Sequence, residues 1–125
     1  MRFMMMVKSS EQAGPPPKAL MEAIAILGKE AAEAGAMLEM GGLFPSASGA
    51  RVRLTSGKLT VTDGPFVETK EVVGGYAVFE VTSKEEAIEQ TLHFMQLHKE
   101  HWPGWDGETE IRQIFERPDS GPESQ

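Results

Sequence analysis

The chain of 125 residues contains no cysteine, which removes disulfides, zinc–thiolate and iron–sulfur sites and thiol catalysis together. Long apolar runs are missing as well. Near the start the apolar stretch Phe3 to Val7 is only 5 residues, too short for the apolar region of a signal peptide, and no segment approaches a membrane span. A cytoplasmic protein with no membrane partner is therefore expected. Basic residues are the third scarcity: 12 Lys and Arg stand against 19 Asp and Glu, for a net charge of −7, and they form no cluster. Binding to phosphate backbones relies on clustered cations that release counterions, so nucleic acid is not an expected partner. A phosphate-binding loop, a nucleophilic-serine elbow and a dinucleotide fingerprint are also absent, because the Gly41-Gly42 and Gly74-Gly75 pairs lack the spacing that must follow. Kinase-type and hydride-transfer chemistry drop out, and no cofactor is expected.

What remains is ordinary for a folded domain. Hydrophobic residues make up 40% and charged residues 25%, and the length suits one domain with one core. Phe3 to Val7 reads as a strand covered on both faces, with Met4, Met5 and Met6 as core filling. Pro15-Pro16-Pro17 introduces a helix from Lys18 to about Ala34, whose apolar face is Leu20, Ala23, Ile24, Leu27, Ala31 and Ala34, and Gly35 stops it. Ala36 to Phe44 is a second strand interrupted at Gly41-Gly42, the mark of a bulge or of a close backbone approach. RVRLT-SG-KLTVT is a hairpin, and its two-residue turn pairs Thr55 with Lys58, Leu54 with Leu59 and Val52 with Val61. Val52, Leu54, Leu59 and Val61 then share one face, with Arg51, Arg53, Thr60 and Thr62 on the other.

Val72 to Val81 is a further strand. Ser83 caps a second helix with Glu86 in capping-box position, and its inward stripe is expected to be Ile88, Thr91, Leu92 and Met95, flanked by Ala87 and Phe94. Pro103 ends that helix, and Glu110 to Glu116 is a last strand. Residues 1–116 form the domain, and RPDSGPESQ, residues 117–125, poor in apolar side chains, reads as a flexible tail. The order β-α-β, hairpin, β-α-β predicts an α+β ferredoxin-like sandwich with both helices on one face of the sheet. A first strand that is apolar on both sides leaves the other face to be covered, and a second subunit is the expected cover, giving a homodimer.

One stretch, TDGPFVETKE at residues 62–71, carries the strongest local signal. Together with Glu68-Thr69-Lys70-Glu71, Gly74 to Tyr76 and the helix start Glu85-Glu86-Ala87, it resembles the DGPF-domain branch of the YCII-related family. The likeness extends to the first strand, to AGAMLEMGGLFP and to EIRQIFE, so to about residues 1–116. The resemblance implies a ferredoxin-like fold assembled face to face into a dimeric α/β-barrel-like body. It also implies an association with extracytoplasmic-function sigma factors, hence a regulatory or stress role. The wider family carries a His–Asp pair with its histidine on the first helix. Here KALMEAIAILGKEAAEAGA has no histidine, so the pair does not carry over.

Two readings of the turn stand side by side. Asp63 can close the turn by bonding backbone two residues on, with Gly64-Pro65 fixing the bend and Phe66 plugging the core. Alternatively Asp63, Glu68, Lys70 and Glu71 line a cleft, where carboxylates near a lysine can divide the work of proton transfer. His98 titrates near neutrality and is the candidate proton carrier beside Asp63. Glu68, Lys70, Arg112 and Trp102 are candidate substrate contacts, Arg112 through a bidentate grip on a carboxylate and Trp102 as an aromatic wall with Trp105. His98 and His101 have the spacing of two metal ligands, with Asp106 or Glu108 as a third, but that spacing is common and cations suit a helix C-terminus, so no metal is expected. The functional expectation is a small-molecule site near the turn, either for acid–base chemistry without a cofactor or for non-catalytic sensing of a metabolite.

Overall fold

The computed structural model describes residues 1–116; the expected flexible tail, 117–125, lies outside the described residues. In chain order the elements are β1 (Arg2–Ser9), α1 (Lys18–Glu33), β2 (Met37–Gly42), β3 (Ala50–Thr55), β4 (Lys58–Asp63), β5 (Val72–Glu80), α2 (Lys84–His101) and β6 (Glu108–Gln113). Short 3-10 turns sit at Glu11–Ala13 and Ser46–Ser48. β1 is central: it pairs antiparallel with β5 on one side and with β6 on the other, and β2 pairs with β5, giving the order β2-β5-β1-β6. This split β-α-β arrangement matches a ferredoxin-like α+β fold.

Alternation along β1 explains its unbroken apolar sequence. Phe3 and Met5 are buried with Ala77, Phe79, Val81 and Ala87 in the core beneath the helices, and Met37, Phe94 and Ile111 pack against them. Met4 and Met6 take the opposite face, paired with Val78, Arg112, Tyr76 and Glu110, and they are half-buried. On that face β2 contributes Glu39 and Gly41. Gly41 is a close approach: a Cβ there would lie 2.9 Å from the Tyr76 ring, whose hydroxyl donates to Glu39 at 2.7 Å. Of the bulge or close backbone approach expected at Gly41-Gly42, the close approach is found, with a Cβ on Gly75 3.2 Å from the Gly41 carbonyl oxygen, while the irregularity in register lies between Met37 and Glu39.

α2 departs from its expected orientation. Ala87 and His98 are buried, whereas Ile88 and Leu92, expected to face inward, are exposed. The inward line runs through Ala87, Thr91, Phe94 and His98. The small Ala87 permits close approach to the sheet, and Thr91 satisfies its hydroxyl on the Ala87 carbonyl at 2.8 Å. The cap is as expected in part: Ser83 accepts from the Glu86 N–H at 3.1 Å, while the Glu86 carboxylate accepts from the Thr82 N–H, one residue before the cap.

The β3–β4 hairpin forms a sheet of its own with the expected register. Positive φ at Ser56 (51°) and Gly57 (77°) gives the tight turn that matches strand twist. Its apolar face is bare: Val52, Leu54, Leu59 and Val61 are 71%, 68%, 68% and 70% exposed.

The turn that follows is held from outside. The Gly64 N–H donates to the Gly49 carbonyl at 2.9 Å, and the Phe66 N–H donates to the Ser46 hydroxyl at 2.9 Å. That hydroxyl donates in turn to Glu11 at 2.6 Å, and Glu11 also accepts from the Ser46 N–H. The Gly64–Pro65 bond is cis. Asp63 pairs with Ala50 in the last rung of the hairpin and is exposed, and among the described residues its carboxylate accepts no hydrogen bond. Ser46 and Gly49 thus do the work assigned to Asp63 in the turn-forming reading. A Cβ on Gly64 would lie 1.7 Å from the Ser46 carbonyl oxygen. Gly64→Ala is accordingly expected to cost about 2–4 kcal/mol in urea denaturation, against a change within about 0.5 kcal/mol for Asp63→Ala.

Candidate functional site

The turn carries one side of a cavity of about 530 Å³, bounded by Leu43, Phe44, Arg51, Phe66, Glu71 and Val73 among others. β3 delivers Arg51 from the polar face of the hairpin, and its guanidinium lies 3.8 Å above the centre of the Phe66 ring. One arm donates to Glu68 at 2.5 Å, the other to the Thr69 hydroxyl at 2.6 Å. Phe66 therefore does not plug the core; it floors a cavity beneath a cation. The Glu68 carboxyl is held below its ordinary range, first by its own backbone N–H and then by Arg51. Glu11 is held low by the Ser46 hydroxyl and N–H. Arg51, Glu68 and Glu11 are thus engaged, with Glu71 the lining carboxylate left without a partner among the described residues.

A second cavity, of about 250 Å³, opens where α2 ends, and Met95, His98, Lys99, Trp102, Trp105 and Asp106 contribute to its wall. His98 is buried, and its Nδ1–H donates to the Phe94 carbonyl at 3.1 Å. The bond fixes the tautomer: Nε2, across the ring, carries the lone pair. Burial pushes the imidazole's proton affinity down, against the smaller opposing effect of the Phe94 carbonyl. Aromatic rings surround it, with Phe94 at 4.7 Å and Trp105 at 4.6 Å between centroids, and Trp102 stacked on Trp105 at 5.7 Å. Gly107 makes this possible, since a Cβ there would lie 2.3 Å from the Trp105 ring. The Trp105 Nε1–H is enclosed without an acceptor among the described residues.

The structure divides the candidate residues among separate places. His98 and Trp102 share the α2 cavity, and Glu68 sits behind Arg51 at the turn. Asp63 and Lys70 are exposed and line neither cavity, and the two cavities have no lining residue in common. Arg112 points from β6 onto the open sheet face, 3.9 Å from Glu110. His101 has Glu100 at 3.9 Å. Among the described residues no three histidine, aspartate or glutamate side chains converge as a metal site requires. Also among them, no helix is long and apolar enough to cross a membrane. Ser46 and Phe44 were not legible as site residues. Ser46 sits in a plain serine-rich loop, and only the folded turn brings it to Phe66.

Among the described residues the architecture is thus a small α+β domain with split β-α-β topology that carries these cavities, one at the turn and one at the end of α2. The model of the YCII-related domain matches residues 1–93, and the chain belongs to that family. It is also similar to an uncharacterised protein of Rhizobium meliloti (strain 1021), 37% identical over 57 residues, which is 46% of this chain and 46% of that protein. The match thus spans about half the length of that relative. The turn cavity falls inside the family match, and the α2 cavity lies beyond its end.

His98 makes a pH signature. Its folded proton affinity is lowered from the ordinary value of 6.5, so on acidification the unfolded chain protonates first. Stability is complete above that value and falls as pH drops below it, levelling once folded His98 is protonated too. The depressed carboxyls Glu11, Glu68, Glu80, Glu86 and Glu110 act lower down, below their ordinary 4.5. Urea midpoints about one unit either side of 6.5 should differ in the wild type and converge in His98→Phe.

Proposed function

We propose that this YCII-related chain is a binding module that takes a small amphipathic molecule in the turn cavity, without turnover there. The carrying observation is the Arg51–Phe66 stack locked by Glu68 and Thr69, a rigid polar floor opening onto apolar Leu43, Phe44 and Val73. The volume suits a small metabolite, and an apolar wall with a few fixed polar groups is the usual make-up of such sites. Arg51 and Glu71 are the charged side chains of the lining, and no histidine stands among its residues. Selection without catalysis is the chemistry this supports. A ligand with an apolar body and an amide or amino-acid head matches the unpaired Glu71 carboxylate and the remaining Arg51 and Thr69 donors. Such a role agrees with the regulatory setting implied by the DGPF resemblance. An acid–base reading draws its support from elsewhere, from neutral, buried His98.

The assembly belongs to the same proposal. Met4, Met6, Tyr76 and Val78 form a half-buried apolar strip on the sheet face away from the helices, flanked by Glu39, Glu110 and Arg112. Two such faces packed together make a homodimer whose rim charges lie outside an apolar centre. Light scattering at micromolar concentration should give twice the chain mass, and a single-chain mass would sink this part.

For the ligand, a thermal-shift screen of metabolites with apolar bodies and amide or amino-acid heads should raise the wild-type melting temperature for at least one compound. Val73→Arg, at an exposed wall position, should melt within about 2 °C of wild type yet lose that response. An equal response in Val73→Arg, or silence across the screen, would remove the turn cavity as the site.

A further inference from the structure

We propose that the cavity at the end of α2 is a second, independent binding site, and that it takes a planar group rich in N–H donors: an amidine, a guanidine or an aminoheterocycle. The polarity of the wall sets the class. With Nδ1 tied back to the Phe94 carbonyl, His98 offers the cavity an acceptor lone pair on Nε2. Asp106 adds an exposed carboxylate at the rim, a second acceptor and a negative charge. The Trp105 N–H is sealed off and gives the cavity no donor. Lys99, the one cation of the wall, is exposed, and its flexible stem lets the ammonium turn to water.

Shape and field agree with hydrogen bonding. Trp102 stacked on Trp105, with His98 tilted against Trp105, makes an aromatic wall on which a flat ligand can lie. Indole faces attract cations. α2 ends at His101, so its last turn, carrying the negative end of the helix dipole, borders the cavity. A planar carboxylate of the same size would instead meet the His98 lone pair, the Asp106 charge and that dipole, all unfavourably. Nothing in this depends on the turn cavity, which shares no wall residue with it.

The chain has 2 tryptophans and both line this cavity, so tryptophan emission, excited beyond the absorption of Tyr76, reports on the site. Benzamidine serves as the probe and benzoate as the planar anion of like size. Titrated into the full chain, benzamidine should change the emission saturably and benzoate should not. His98→Phe, which keeps a ring but removes the acceptor, and Asp106→Asn, which keeps the shape but removes the charge, should each weaken binding by on the order of tenfold. Val73→Arg should leave it untouched. Unsaturable quenching, equal binding of benzoate, or wild-type affinity in Asp106→Asn would overturn the proposal. Should His98→Phe fail to fold, Asp106→Asn, at an exposed position, decides alone.

Discussion

The Ser46 hydroxyl joins three parts of the chain that sequence keeps apart. It donates to Glu11, just after β1, and accepts from Phe66, at the heart of the turn after β4, while its own loop follows β2. Remove this junction and the turn has no fixed height above the sheet, Phe66 no fixed place under Arg51, and the cavity no floor. Gly64 shows how tightly the pieces meet, because the Ser46 carbonyl occupies the space of a side chain there. Single neutral hydrogen bonds contribute only about 1 kcal/mol each. Here two such bonds, to the Ser46 hydroxyl and the Gly49 carbonyl, converge with two charge-assisted ones to Glu11 and one arginine stack, and ordering the loop for one orders it for the rest.

Much of the fold was legible because it rests on short-range chemistry. The hairpin register follows from Ser56-Gly57, two residues that accept positive φ, and every pair then follows by alternation. The Ser83 cap and the two-faced β1 were readable for the same reason. Where reading failed, size and distance were responsible. Helical spacing puts Ile88, Thr91, Leu92 and Met95 inward, yet the buried residues of α2 are Ala87 and His98, and at Ala87 closeness to the sheet rewards a small residue over a large one. The candidate site was gathered from motif and titratability, and folding divided it. Asp63 and His98 share no cavity, and the partner that matters for Glu68 is Arg51, 17 residues earlier and reachable only through the hairpin. Charge pairing at that range depends on where the strands lie, which composition and spacing do not encode.

The two cavities solve opposite problems. At the turn, charge is matched internally: Arg51 has Glu68, Thr69 and a ring, and Glu11 has Ser46. Such a surface is preorganised, so a ligand meets groups already ordered and loses little entropy in arranging them. On the proposed reading, selectivity would come from shape and from the few valences left over.

At the end of α2 the groups are unsatisfied. His98 lines the cavity with its Nδ1 already bonded, and among the described residues the Trp105 N–H lies enclosed without an acceptor, which typically costs about 1–3 kcal/mol for an unpaired donor. A buried imidazole held neutral among aromatic rings adds sensitivity to acid without adding a bond that phenylalanine would lack, apart from the one to the Phe94 carbonyl. That bond places the lone pair on Nε2, and burial, not the bond, lowers the ring's proton affinity. In the proposed α2 site the cost in stability is coupled to an oriented acceptor beside an indole wall, which is what recognition of a planar donor requires.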